Sequence, residues 1–284
     1  MQNFLMKKYI LIFLIFAPHI ICSQNAQNYH LTTTDWQFGA ASTSLKDPYL
    51  SPLKYAGNGY VASWNNKSFL LQKSETFIST YNITAFYDYL LNPTHTASIF
   101  YAGFNANYGV HYRLKALKNL SFLLGASTDI DLGFKYLARN SNNPFNLDLS
   151  ANLNLSAAAQ MKIFLFKYMF HIDLSARTPL IGIMFVPEQG ASYYEMGTFD
   201  DGLKNVTHFS HLGNKNGLRT TLGMDFPVWR LTFRVSGNAE FLKYKANDVV
   251  YSRSTIGFGI GLKYSFITVA GGRNRLPSNF ISPE

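Results

Sequence analysis

Four groups of residues carry side chains able to do chemistry. Asp129 and Asp131 stand two apart in "LSFLLGASTDIDLGFKY". Two carboxylates on one strand face could share a proton or hold a metal, but such neighbours sit about 7 Å apart, too far for a tight dyad unaided. His208 and Ser210, in "THFSHLGN", are the imidazole and hydroxyl a hydrolase pairs, with Asn214 or Asn216 available to orient the base. Tyr193, Tyr194 and Glu195 put aromatics beside a carboxylate, a set that binds a partner protein or a sugar, or folds back as a cap. The fourth group is a scatter of charges: Arg113, Asp129, Asp131, Lys135, Asp148, Lys162, Asp173, Arg177, Arg219, Asp225, Arg230, Arg234, Glu240 and Lys263.

What positions these residues is an alternation of period two. In "NLDLSANLNLSAAAQMKIFL" one register reads Leu147, Leu149, Ala151, Leu153 and Leu155, and the other Asn146, Asp148, Ser150, Asn152 and Asn154. Such a period means strands, not helices. "WRLTFRVSGNAEF", "STIGFGIGLKYSF", "YMFHIDLSAR" and "LRTTLGMDF" behave likewise. A run near twenty residues is long for a soluble strand, whose usual length is about five or six. In lipid no water satisfies the backbone, so a sheet spans only by closing on itself, with acyl chains on one face and a lumen on the other. The fourth group then falls on the inward face. Its mixed signs predict side chains that pair across the lumen and fill it, where a ring of one sign would favour a channel.

The breaks alternate too. Short ones fall at "NNK" near Asn65, "KALKN", "FKY" and "PVW"; the others are "KDPYLSPL", "LNPTHT", "ARNSNNP", the long segment from Pro187 to Gly217, and "KANDVV". Outer-membrane barrels have short periplasmic turns and longer outer loops. The expected fold is therefore an all-β transmembrane antiparallel up-and-down barrel of about ten strands, range eight to fourteen. A further hairpin over residues 192–199 and 205–211 would make about twelve. Pro179 inside "ARTPLIGIMF" removes a ladder donor and predicts a bulge or a break.

The totals agree. Charged residues are 14% of the chain, against about 25% for a typical soluble domain. A secreted sandwich would carry more outward charge and shorter strands. Lys7, Lys8, "YILIFLIFAPHII" and "CSQNAQ" read as an export signal over residues 1–23. A periplasmic segment 24–32, a barrel 33–268 and a polar tail 269–284 would follow. Cleavage after Ser23 removes Cys22, the only cysteine, and with it disulfides, thiolate zinc sites and cysteine nucleophiles. Gly257, Gly259 and Gly261 alternate as strand residues and make no phosphate loop, so no cofactor is expected, nor a metal. Basic residues are interspersed with acids, which argues against nucleic acid despite the formal +9 charge.

Two resemblances add to this. "THFSHLGN" is similar to the histidine and serine motif of outer-membrane phospholipases and lipid A deacylases, over this short stretch alone. "DPYLSPLKYAGNG", "LNPTHTASIFYAGFNANYGVHYRL", "ARNSNNPFNLDLSANLNLSA" and "PLIGIMFVPEQGASYYEMG" together resemble a domain-of-unknown-function family of exported Bacteroidetes proteins of outer-membrane barrel type, from about Asp47 to Phe266. That resemblance implies an outer-membrane location and supplies no catalytic residues. The expectation is a non-enzymatic structural or accessory barrel, touching outer-membrane lipid and other outer-membrane proteins. A narrow channel, or a lipid hydrolase using His208 and Ser210, is the rival.

Overall fold

A chain whose side chains alternate between greasy and polar satisfies two surroundings at once when extended. The computed structural model describes residues 29–71, 74–141, 143–165, 168–190, 192–198, 202–229, 231–266 and 280–284. In chain order its strands are β1 (Tyr29–His30), β2 (Thr32–Lys46), β3 (Lys54–Leu71), β4 (Ser74–Leu91), β5 (Ser98–Leu117), β6 (Leu120–Leu137), β7 (Phe145–Leu165), β8 (Tyr168–Phe185), β9 (Thr207–His211), β10 (Lys215–Val228), β11 (Leu231–Ala246), β12 (Val249–Phe266) and β13 (Phe280–Ile281). Two short helices, α1 (Tyr193–Thr198) and α2 (Gly202–Val206), precede β9.

Ten long strands form a closed antiparallel barrel. Each pairs with its neighbours in sequence, and β12 returns to β2 from Ser252↔Lys46 to Phe266↔Thr32. Among the described residues this closure removes the two free edge strands that an open sheet of these staves would present. β9 is not a separate stave. It pairs with the outer part of β8, Phe185↔Thr207 to Ile181↔His211, and β10 takes over from Arg219↔Arg177 to Asp225↔His171. Both run against β8, so they make one stave with a jog at residues 212–214. Asn214 holds the jog. Its Oδ1 accepts from the His211 amide at 2.8 Å and its Nδ2 donates to the Phe209 carbonyl at 2.8 Å.

Two expectations need correcting. Residues 192–199 and 205–211 do not form an extra hairpin. Ser192 caps α1, and the Glu195 carboxylate accepts from its amide at 2.7 Å, a reciprocal box that starts a helix. Nor does the chain turn at "NNK". Asn65 and Asn82 are opposite each other in β3 and β4, joined Nδ2 to Oδ1 at 2.5 Å, so these amides pair across strands. Pro179 does produce a bulge: Asn154 faces Pro179 while Leu153 faces Ile181, leaving Leu180 extra.

Connections at one end are two residues long, at 72–73, 118–119, 166–167 and 229–230. At the other they are 47–53, 92–97, 138–144, 186–206 and the tight Asn247–Asp248 turn, both residues at positive φ. The short-turn end is called inner and the other outer. The wall between is apolar outside, row after row. Phe233, Leu262, Trp36 and Trp64 make one row across β11, β12, β2 and β3, and Val235, Ile260, Phe38 and Ala62 the next. Phe38 is 64% exposed and Ile260 59%, a continuous greasy surface that water does not suit. Trp36 stacks on Trp64 at 5.9 Å and Tyr81 meets Trp64 edge-on at 5.3 Å, an aromatic belt near the inner end. No described helix is long and apolar enough to cross a membrane.

Candidate functional site

The inward faces of the staves build three tiers. At the outer mouth the segment after β2 folds into the barrel and buries Tyr49 and Leu50 against Tyr101, Tyr244, Tyr251, Met196 and Val206. Apolar burial alone would not fix its register; a charge does. Lys135, 0% exposed, donates to Asp47 and, at 2.7 Å, to Asp148 Oδ1. Asp47 also accepts from Asn146 Nδ2 at 2.8 Å, while Asp148 Oδ2 accepts from Tyr101 at 2.9 Å and Tyr251 at 3.1 Å. The Lys135 ammonium lies 4.6 Å from the Tyr251 ring centre, which adds a cation–π contact.

Tyr193, Tyr194 and Glu195 divide between the two roles read from sequence. Tyr193 turns inward, donates to Asn146 Oδ1 at 2.8 Å and lies 4.6 Å from the Phe145 ring, so it caps. Tyr194 is 78% exposed. Glu195 is held below the usual glutamate range by the Ser192 amide and hydroxyl. Burial, with Asp47 and Glu195 nearby, pushes Tyr49 up to about 12. A depressed glutamate stabilises its helix above the unfolded pKa and loses that help as pH falls through the folded one. Hydrogen exchange should therefore show α1 amides exchanging faster, relative to wall strands, below the usual glutamate range than at neutral pH. Protection unchanged on acidification would remove the cap from this account.

The middle tier centres on Arg219. Its fork reaches Asp129 at 3.0 Å and Asp131 at 2.7 Å, across the lumen on β6, and its Nε reaches Glu240 at 2.9 Å. Arg253 closes on Glu240 and on the Tyr101 hydroxyl. Arg177 donates to Asn105 Oδ1 at 2.8 Å. The Asp129–Asp131 pair is thus bridged by one guanidinium.

The inner tier centres on Arg234, which meets Asp173 at 2.7 Å and Asp225 at 2.8 Å. Gly223 makes room for it: a Cβ there would lie 2.2 Å from the guanidinium. Lys263 pairs with Asp225 at 2.5 Å and with Glu284. Glu284 is carried in by the parallel pairing of β13 with β1, and its carbonyl accepts from Arg113 at 3.1 Å. His171, Asp225 and Glu284 offer ligand atoms within 4.8 Å of one another, a set able to hold a cation. The Lys263 ammonium, bonded to both carboxylates, already plays that part. Between the two charged tiers lies a cavity of about 280 Å³, lined by amides and hydroxyls such as Asn82, Asn107, Gln160 and Thr221.

Most of the charges read from sequence meet in these tiers. Lys162 stays half-buried at the inner end of β7, and Arg230 lies outside the described residues, as do residues 1–23 with Cys22. His208 and Ser210 are in the wall, on β9, and not in an outer loop. The jog lets the stave begin early. Among the described residues His208 Nε2 and Ser210 Oγ have no hydrogen-bond partner. Asn214 is engaged with backbone and Asn216 is exposed, so neither orients the histidine. Sequence reasoning missed Asp47, Arg253, His171 and Glu284. Arg253 follows from the alternation of β12 carried two residues back; Asp47 and Glu284 sit where no period exists.

The chain belongs to a family of proteins of unknown function, DUF3316, which matches residues 9–273. No curated protein matches the sequence. Solved structures similar to it are outer-membrane barrels. The outer membrane protease OmpT of Escherichia coli is 8% identical, covers 84% of this chain and 97% of its own, and has a TM-score of 0.47. The translocator domain of autotransporter NalP from Neisseria meningitidis is 8% identical over 91% and 95%, with a TM-score of 0.37. Ail of Yersinia pestis, complexed with a heparin analogue, is 9% identical over 82% and 99%, with a TM-score of 0.30. The likeness is of architecture, and no activity is taken from it.

Proposed function

We propose that this protein is a non-enzymatic, non-conducting barrel of the outer membrane, serving as a structural or accessory component that meets its partners at the outer end. The greasy wall and the export signal at residues 1–23 support the location, as does the resemblance to exported Bacteroidetes barrels. One observation carries the closed-lumen reading. Side chains from opposite walls and from the inturned segments are bonded to each other at three levels, with both signs at each level. Rings of one charge sign select ions in a pore, whereas here the cations and carboxylates of each level are bonded to one another within the lumen. Purified protein in a planar bilayer should give no unitary steps above leak; steady steps from the parent protein would overturn this reading and favour a small-solute channel.

A further inference from the structure

One feature of the outer wall lies apart from the lumen. The registers of four adjacent strands place Lys243 opposite Ser252, Ser252 opposite Lys46, and Lys46 opposite Lys54. Lys245 stands one residue pair further out, opposite Val250. All four lysines are exposed, and none makes an ion pair within the described residues. The only carboxylates on these strands, Asp35 and Glu240, take part in the inward network. Directly opposed like charges destabilise a sheet unless something neutralises them.

The rows below say what that is. The next inward row reads Phe241, Ser254, Ser44 and Ala56, and the one after it Ala239, Ile256, Ser42 and Asn58. Only then does the wall lose its serine hydroxyls and asparagine amide, at Gly237, Phe258, Ala40 and Tyr60. Rows on one face are about 6.8 Å apart along the strand. Acyl-level, hydroxyl-level and cationic rows therefore follow in the order a lipid presents its chains, ester or sugar oxygens, and phosphate.

We propose that the wall of β11, β12, β2 and β3 holds a phosphate-bearing lipid of the outer leaflet, its phosphate on Lys46, Lys54 and Lys243 and its polar linkage on Ser42, Ser44 and Asn58. This rests on the membrane-barrel reading above, so the test separates the two. Native mass spectrometry of the full chain from micelles would compare phosphatidylglycerol, phosphatidylcholine of the same acyl chains, and inorganic phosphate. A cation near a membrane surface contributes about 1 kcal/mol, so Lys46→Gln/Lys54→Gln/Lys243→Gln should weaken phosphatidylglycerol retention about a hundredfold at low salt. Lys115→Gln/Lys118→Gln, at the inner end, should leave it unchanged. Equal retention by parent and triple variant, no preference for phosphatidylglycerol over phosphatidylcholine, or equal competition by inorganic phosphate would overturn the proposal. A protein that stays soluble without detergent would instead sink the barrel reading itself.

Discussion

Lys135→Met is expected to cost the folded barrel about 3–5 kcal/mol, because it strands buried carboxylates. Methionine keeps the length and apolar contact of the stem, so what is lost is the charge. Asp47, whose side chain is 1% exposed, then faces Asp148 with no cation between them. Asp47 starts the segment that carries Tyr49 and Leu50 into the mouth, so that segment should leave. The urea midpoint in micelles should fall, and protease should cut between residues 47 and 53 where the parent resists. Lys135→Met/Asp47→Asn should recover part of the loss, since paired groups are not additive. A single variant with the parent's midpoint and the parent's protease resistance would show that the ammonium does not hold the mouth shut.

The second large effect is expected at Arg219. Arg219→Met leaves Asp129, Asp131 and Glu240 converging on one point, again at a cost of about 3–5 kcal/mol. Arg219→Lys is the sharper test. Three different carboxylates are met by separate nitrogens of a rigid fork, and a single ammonium cannot reach all three. It should therefore restore less than half of the lost midpoint. Full rescue by lysine would mean that net charge alone, and not the fork, holds β6 against β10 and β11.

The staves were legible because lipid and lumen impose a period of two that little else in the chain disturbs. Asp129, Asp131, Lys135 and Asp148 could be placed inward from parity alone. Parity fails where backbone leaves the wall. Asp47 follows the last residue of β2, and its partner Lys135 is 88 residues away, so no local pattern joins them. The sequence could place Tyr193 near the mouth but could not choose between partner and cap; its hydroxyl settles on Asn146, which a neighbouring strand presents. "NNK" misled because asparagine serves turns and cross-strand ladders equally well, and only the β4 amide at Asn82 decides between them.

The jog at residues 212–214 and the bulge at Leu180 face each other across one junction. There β8 is zipped to its neighbour in two pieces, with Thr178, Pro179 and Leu180 unmatched on that side. The junction joining the first and last staves, by contrast, is continuous from Ser252 to Phe266. The ring's clasp is therefore not where the chain ends meet. Pried open, the molecule should part between its seventh and eighth staves and uncurl as one ribbon, its first and last staves still fastened together three staves in from one edge.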